Sequence, residues 1–148
     1  FLLKRLTCYN KFIDNTSNME SDKKNLKILL IDDDRFLLDM YILKFKKSGL
    51  DIDTASNGTT ALEKIKSGTD YDIILSDIIM PGMDGLELLK TIRTEKILPN
   101  AVVIMLTNQA DDYDKAKALG VDGYIIKATT IPSEVVEKVL AIYKNKKK

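Results

Sequence analysis

Residues Lys27–Asp34 read Lys-Ile-Leu-Leu-Ile-Asp-Asp-Asp, and this stretch decides the fold. Its apolar part is too short for a helix and is apolar enough for a strand that is buried on both faces. Three acidic residues follow at the point where the strand must end. Because ligands of open parallel sheets bind beyond the carboxyl ends of the strands, the stretch predicts a central strand with an acidic site at its end.

Four more short apolar runs follow, and segments with helical spacing alternate with them. The predicted strands are Lys27–Ile31, Asp51–Ala55, Asp72–Ser76, Ala101–Leu106 and Gly123–Ile126. In the third predicted helix Asp84 and Glu87 form a capping pair, the fourth helix is stopped by Gly120, and the fifth opens at Pro132. Five such repeats predict an α/β fold in which a parallel sheet is sandwiched between helices.

Composition excludes several classes of function. The 148 residues suit one domain, and 23 basic against 22 acidic residues give a net charge of +1, which does not favour nucleic acid or an anionic membrane as partner. The chain has no histidine and a single cysteine, Cys8, so histidine bases, histidine metal ligands and an intrachain disulfide are excluded. The longest apolar run, Ala101–Leu106, is far shorter than the roughly 20 residues that span a bilayer. We therefore predict no membrane segment and a cytoplasmic setting.

The N-terminal part differs from the rest of the chain. Residues 1–18 show no sustained periodicity, and the first methionine is Met19. Two interpretations stay open: these residues are upstream sequence foreign to the native protein, or they are a loosely attached native arm. We predict an N-terminal extension over residues 1–24 and one domain over residues 25–148. Only Lys144–Lys148 follows the last predicted helix core, so we expect no second domain.

Reactive side chains stand at the ends of four predicted strands. They are Asp32, Asp33 and Asp34 after the first strand, Asp77 after the third, Thr107 after the fourth and Lys127 after the fifth. Carboxylates that share a cleft repel one another, and a divalent cation removes that cost. Ligation by oxygen alone favours Mg²⁺. A single aspartate at a strand end is most simply a solvated cap, but the whole set in register indicates a site.

The set fits phosphoryl transfer. Asp77 can act as an oxygen nucleophile and form an acyl phosphate. Lys127 would pair with one phosphoryl oxygen, and Thr107 would donate a hydrogen bond to another. Such a reaction needs positioning and charge neutralisation more than a proton-transfer base, so the absence of histidine is no obstacle. The phosphoryl donor must come from outside the chain.

Several motifs together resemble the response regulator receiver family, and in particular its single-domain chemotaxis regulators. They are Ile28–Asp34, Asp77–Gly85 (DIIMPGMDG), the strand end at Thr107, and Gly123–Lys127 (GYIIK). The resemblance covers about Leu26 to the C-terminus. It implies a flavodoxin-like, doubly wound (βα)5 fold with five parallel strands in the order 2-1-3-4-5.

The resemblance also implies roles for residues of this chain. Asp77 would be the phospho-acceptor, and Mg²⁺ would be held by Asp77 and Asp33 directly, by Asp32 mainly through water, and by the backbone carbonyl of Ile79. Thr107 and Lys127 would contact the phosphoryl group. Thr107 would also move toward the phosphate as Tyr124, in the fifth strand, turns inward. The alternative for Tyr124 is an ordinary half-buried strand tyrosine.

The partners implied are a sensor histidine kinase or a histidine phosphotransfer protein, and a downstream protein that binds the face formed by the fourth helix, fifth strand and fifth helix. The chain would be a monomer or a weak homodimer. It would be a signalling switch of a two-component system, not an enzyme, although it would catalyse its own phosphorylation and dephosphorylation.

Three features depart from the family pattern. Ala128 follows the lysine where the family usually has proline after a cis peptide, so the loop is expected to be trans or strained. Asn108 follows the threonine where a small residue is usual, and we expect it to narrow access to the phosphate. Ile79 and Gln109 occupy the positions that tune hydrolysis. Apolar Ile79 offers no group to orient water, so we predict a long-lived phospho-Asp77.

Two other functions remain open on the sequence. Asp32-x-Asp34 resembles the D-x-D opening of the haloacid dehalogenase family, which implies an Mg²⁺-dependent phosphohydrolase with Asp32 as nucleophile. That family implies a threonine two residues later, where this chain has Phe36. The other alternative is a degenerate receiver that acts as an unphosphorylated interaction module, with Ala128 as its only support.

Overall fold

The structure is a computed structural model and describes residues 26–148. The predicted N-terminal extension, residues 1–24, lies outside the described residues. The strands are β1 (Lys27–Ile31), β2 (Asp51–Ala55), β3 (Ile73–Ser76), β4 (Val102–Thr107) and β5 (Gly123–Ile126). The α-helices are α1 (Arg35–Lys47), α2 (Gly58–Lys66), α3 (Gly85–Thr94), α4 (Tyr113–Ala118) and α5 (Pro132–Lys146). Short 3-10 turns at Ala110–Asp112 and Lys127–Thr129 precede α4 and follow β5.

The five strands form one parallel sheet in the order β2-β1-β3-β4-β5, so the predicted flavodoxin-like fold and strand order are confirmed. The register aligns the carboxyl ends of the strands that matter. Ile31 of β1 pairs with Ser76 of β3, and Thr107 of β4 pairs with Ile126 of β5. The residues that follow β1, β3 and β5 therefore emerge at one edge of the sheet, beside Thr107.

Side chains that alternate along the strands divide the core into two layers. On one face, Leu29 and Ile31 of β1 pack in a cluster with α2, α3 and α4. On the other face, Ile28 and Leu30 pack in a cluster with α1 and α5. These four apolar side chains of β1 are at most 1% exposed, so burying each of them stabilises the fold by about 1.5–3 kcal/mol relative to exposure. Both faces of β1 are buried, as its continuous apolar run predicts.

Most of the predicted helix boundaries are observed. Asp84 and Glu87 form a reciprocal capping box at the start of α3, Gly120 follows α4 with a φ of +88°, and Pro132 is the first residue of α5. The strand boundaries differ by one residue at three ends, one of which is the start of β4 at Val102. β3 begins at Ile73, and β4 extends through Thr107 because Thr107 pairs with Ile126 in the ladder.

The apolar stripe of α5 is mainly core packing, because Val135, Val136 and Val139 are buried. Within residues 26–148, no helix has the length and apolarity that crossing a membrane would need.

Candidate functional site

Three carboxylates meet where β1 and β3 end. Asp77 follows β3 beside the end of β1, and its backbone N–H donates to the carbonyl of Ile31 at 2.9 Å. One carboxylate oxygen from each of Asp32, Asp33 and Asp77 lies within 4.8 Å of the others. Asp32 is buried, Asp77 is half-buried and Asp33 is exposed. The structure thus brings together the three acidic residues that the sequence predicts as metal ligands.

Lys127 lies between two of these carboxylates. Its Nζ donates to Asp32 Oδ2 at 2.5 Å and to Asp77 Oδ2 at 2.9 Å. The three side chains are 9%, 2% and 13% exposed, so both ion pairs are largely shielded from solvent. Such shielding makes the charges costly unless they are paired. Lys127 therefore binds the carboxylates of Asp32 and Asp77 and leaves Asp33 at the open side of the cluster.

The donor set fits a divalent cation. Three negative carboxylates against one positive ammonium leave the cluster with two negative charges. Within residues 26–148, no ion pair engages Asp33. All the side-chain donors are oxygens, the ligands that Mg²⁺ prefers in proteins. The charge and the chemistry of the cluster therefore match Mg²⁺.

The pKa shifts of Asp32 and Lys127 also favour a cation at this cluster. Burial raises the pKa of Asp32 above its ordinary value of 3.8, and hydrogen bonds from Lys127 and from the N–H of Asp34 offset only part of that effect. Burial lowers the pKa of Lys127, but its hydrogen bonds to Asp32 and Asp77 outweigh burial and raise the pKa above 10.5. Lys127 therefore stays charged near neutral pH, and a further positive charge would stabilise ionised Asp32.

Backbone N–H groups fix the orientation of the carboxylates. Asp32 Oδ1 accepts from the N–H of Asp34 at 2.9 Å, and Asp77 Oδ1 accepts from the N–H of Ile78 at 2.7 Å. The side chain of Asp34 has a different role, since it caps α1 by accepting from the N–H of Leu37. The three consecutive aspartates of the sequence are thus divided between the acidic cluster and a helix cap.

Thr107 and Tyr124 occupy the β4–β5 side of the site. Thr107 is fully buried, and its hydroxyl oxygen accepts from the N–H of Gln109 at 3.2 Å. Half-buried Tyr124 donates its hydroxyl to the carbonyl of Gln109 and packs edge-on against Tyr113, with ring centroids 5.4 Å apart. The same short loop therefore contacts both residues that the sequence predicts as the switch pair.

The two loops that depart from the family pattern contact each other. The side-chain oxygen of Asn108 accepts from the N–H of Ala128 at 2.8 Å. No peptide bond within residues 26–148 is cis, so the loop after Lys127 is trans, as expected for a non-proline residue there. Asn108 is thus hydrogen-bonded to the loop that follows Lys127.

Ile79 presents an apolar side chain that is 57% exposed. It lies two residues after Asp77, on the loop that leads from β3 toward α3. The exposed side chain is compatible with the predicted use of its backbone carbonyl, and it places no polar side-chain group at this position.

Gly85 is a further residue of the site that sequence reasoning did not single out. A Cβ at this position would lie 2.1 Å from the carbonyl oxygen of Asp77 and 2.9 Å from Ile78 Cα. The N–H of Gly85 donates to the Ile78 carbonyl at 2.8 Å, which holds the start of α3 against the Asp77 loop. A glycine directly after a capping aspartate, where helices accept most residues, is the sequence signal for such close contact.

Comparisons with known proteins agree with this geometry. The response regulator receiver domain family matches residues 28–139. The chain is 35% identical over 120 residues to the alkaline phosphatase synthesis transcriptional regulatory protein PhoP of Bacillus subtilis, covering 80% of this chain and 48% of PhoP. It is 39% identical over 112 residues to chemotaxis protein CheY-3 of Vibrio cholerae, covering 72% of this chain and 84% of CheY-3.

Solved structures give the same result. The response regulator TrrA of Thermotoga maritima, solved in complex with Mg²⁺–BeF, superposes with a TM-score of 0.70 at 34% identity, covering 79% of this chain and 98% of TrrA. The chain spans about half the length of several curated relatives that it matches, PhoP among them. The chain belongs to the response regulator receiver domain family, the phosphorylation-dependent signalling module of two-component systems.

Proposed function

We propose that this receiver domain accepts a phosphoryl group on Asp77, with Mg²⁺, from a phosphohistidine of a sensor histidine kinase or a histidine phosphotransfer protein. The observation that carries the proposal is the position of the Asp77 carboxylate, in one cluster with Asp32 and Asp33 and paired at 2.9 Å with the buried ammonium of Lys127. A nucleophile, an acidic cation site and a positive charge for the phosphoryl oxygens are thus side by side.

The chemistry requires little proton transfer. A carboxylate oxygen of Asp77 forms the new bond to phosphorus as the bond from phosphorus to the donor nitrogen breaks, and the donor imidazole leaves with the electron pair. Lys127 offsets negative charge on the phosphoryl oxygens, and the hydroxyl of Thr107 donates to one of them. When bound, Mg²⁺ neutralises charge on the carboxylates and the phosphoryl group.

The residues that would hold Mg²⁺ are Asp33, Asp77 and the backbone carbonyl of Ile79, with Asp32 acting mainly through water. Support comes from the charge of the cluster and from TrrA, a relative solved with Mg²⁺–BeF. An indirect role for Asp32 is consistent with its deeper burial, since its side chain is 2% exposed against 13% for that of Asp77.

Phosphorylation would change a surface that another protein binds. We place that surface on α4, β5 and α5, and the chain itself would be a monomer or a weak homodimer. This face would offer a partner apolar contacts, since Tyr113 at the start of α4 is 46% exposed and Ile131 directly before α5 is 59% exposed. Tyr113 also packs on Tyr124 of β5, so a movement of Tyr124 would reach this surface.

Phosphorylation in vitro tests the proposal. The protein is incubated with acetyl phosphate and Mg²⁺, and intact mass spectrometry counts the phosphoryl groups gained by wild type, by Asp77→Asn and by a control, Asp34→Asn. Asn also caps helices well, so the control removes a neighbouring carboxylate and keeps the α1 cap. We expect one phosphoryl group on wild type and control and none on Asp77→Asn. Equal uptake by Asp77→Asn, or no uptake by wild type, would contradict the proposal.

The phosphohydrolase alternative requires Asp32 to be the nucleophile. Both oxygens of each carboxylate accept hydrogen bonds within the protein, but the side chain of Asp32 is 2% exposed, against 13% for Asp77. Asp77 is therefore the more accessible nucleophile. The degenerate receiver finds no support in a cluster that retains its acidic residues, its lysine and its threonine.

A further inference from the structure

The β4–β5 register brings two loops of the site to the same level. Thr107 pairs with Ile126, so the chain leaves β4 at Asn108 beside the point where it leaves β5 at Lys127. Across this gap the side-chain oxygen of Asn108 accepts from the N–H of Ala128 at 2.8 Å. One hydrogen bond therefore joins the loop after Thr107 to the loop that carries Lys127.

The turn that carries Lys127 has few other strong ties. Lys127–Thr129 is a single 3-10 turn without a side-chain cap at its start. Two hydrogen bonds that hold it are long, from the N–H of Thr130 to the Lys127 carbonyl at 3.4 Å and from the Thr129 hydroxyl to the Ile126 carbonyl at 3.4 Å. The Asn108 bond is much shorter than either, and it satisfies a first-turn N–H that has no partner within a helical turn.

The position of this turn determines where the lysine ammonium reaches. Lys127 extends a flexible side chain to a buried point between Asp32 and Asp77, and small movements of its backbone shift or weaken both contacts. The contact also requires an N–H at residue 128, which alanine has and proline lacks.

We propose that Asn108 is a positioning residue for phosphoryl transfer, which acts by fixing the Lys127 turn through the N–H of Ala128. The inference rests on the proposed function of the Asp77 site and deepens it. The side chain of Asn108 forms its hydrogen bond with the backbone of residue 128 and not with the carboxylate cluster. It would therefore act on the reaction only through the position of that backbone. Asn108 and Ala128 then act as one unit, in which each residue is useful only when the other is present.

The size of the effect follows from the hydrogen bond. A hydrogen bond of this kind, at an exposed position, changes the equilibrium between the fixed and the released turn by about two- to tenfold. We expect Asn108→Ala to slow phosphorylation of Asp77 by acetyl phosphate about two- to tenfold, and Ala128→Pro to slow it at least as much. The double variant is expected to be no slower than the slower single variant, because both substitutions remove the same bond.

The test combines two measurements on the full chain. Amide hydrogen exchange by NMR reports the Ala128 N–H directly and needs no phosphorylation; phosphorylation rates with acetyl phosphate and Mg²⁺ complete the double-mutant cycle. Asn100→Ala, in the loop before β4 at the opposite end of the sheet, is the matched control and keeps the backbone carbonyl that accepts from Lys147. We expect Ala128 exchange to accelerate in Asn108→Ala and to be unchanged in the control.

The outcomes separate this inference from the proposed function. Faster phosphorylation of Asn108→Ala would mean that Asn108 acts by obstructing access, and full additivity in the cycle would mean that Asn108 and Ala128 act independently. Either result would overturn the positioning role. Unchanged Ala128 exchange in Asn108→Ala would overturn it as well. If wild type takes up no phosphoryl group, the proposed function fails and the positioning role fails with it. Normal uptake with equal rates in wild type and Asn108→Ala removes only the role of Asn108.

Discussion

Replacing Gly85 by alanine tests how the start of α3 is packed against the proposed phosphorylation site. The added Cβ would lie 2.1 Å from the Asp77 carbonyl oxygen, so the two backbone segments must separate by about 1 Å or more to reach normal contact. Overpacking of this kind costs about 1–3 kcal/mol, and weakening the Gly85 to Ile78 hydrogen bond costs about 0.5–1.5 kcal/mol. The better helix propensity of alanine returns about 1 kcal/mol. We expect a net loss of about 2 kcal/mol of unfolding free energy.

Gly123→Ala is the matched control for this prediction. Its Cβ would lie 2.6 Å from Ile142 Cδ1, which is the end of a flexible side chain and not backbone. Because that side chain can rotate away, we expect the free energy of unfolding to stay within about 1 kcal/mol of wild type. Urea unfolding followed by circular dichroism measures both variants, provided that the m-value is unchanged. If Gly85→Ala is no less stable than Gly123→Ala, the reasoning from backbone contact is wrong.

Three further predictions concern the charges, the pH dependence and the phosphorylated form. Lys127→Met leaves the largely shielded carboxylates of Asp32 and Asp77 without their ammonium partner. We expect the free energy of unfolding, measured in urea, to fall by about 3–5 kcal/mol, and Mg²⁺ to restore part of that loss. A variant as stable as wild type in the absence of Mg²⁺ would contradict this. Burial and the hydrogen bond to Asp53 raise the pKa of Tyr71 from 10.0 to about 12, so its contribution to stability is complete below pH 10.0 and is lost as the pH rises toward about 12. The difference in tyrosinate absorbance between wild type and Tyr71→Phe, followed against pH, measures the titration of Tyr71. A titration midpoint near pH 10 would refute the raised pKa. Finally, the apolar Ile79 orients no water, so we expect phospho-Asp77 to persist for minutes or longer in Mg²⁺ buffer, and loss of the phosphoryl group within seconds would disagree.

The sequence predicted the architecture because the relevant signals are local. Short apolar runs, one capping pair and one first-turn proline each depend on a few neighbouring residues, and the strand order followed from a family resemblance. The location of the site was predictable for a related reason. Parallel strands end at one edge, so the residues directly after β1, β3 and β5 lie along that edge, where the long side chain of Lys127 reaches Asp32 and Asp77.

The contacts within the site were not predictable in the same way. Asp32, Asp33 and Asp34 look alike in the sequence, yet Asp34 caps α1 while Asp32 pairs with Lys127, and only the path of the chain after β1 separates these roles. The expected role of Asn108, narrowing access to the phosphate, did not anticipate its bond to Ala128. That bond joins residues 20 positions apart and depends on the β4–β5 register. Gly85 was overlooked because its constraint is a contact with the Asp77 carbonyl oxygen.

Chemical location of the phosphoryl group tests the central claim most directly. After incubation with acetyl phosphate and Mg²⁺, borohydride reduces the aspartyl phosphate to homoserine, and sequencing of the peptides by mass spectrometry identifies the residue that was modified. We predict homoserine at position 77 and unmodified aspartate at position 32. Homoserine at position 32, with residue 77 unmodified, would contradict the account and would support the phosphohydrolase instead.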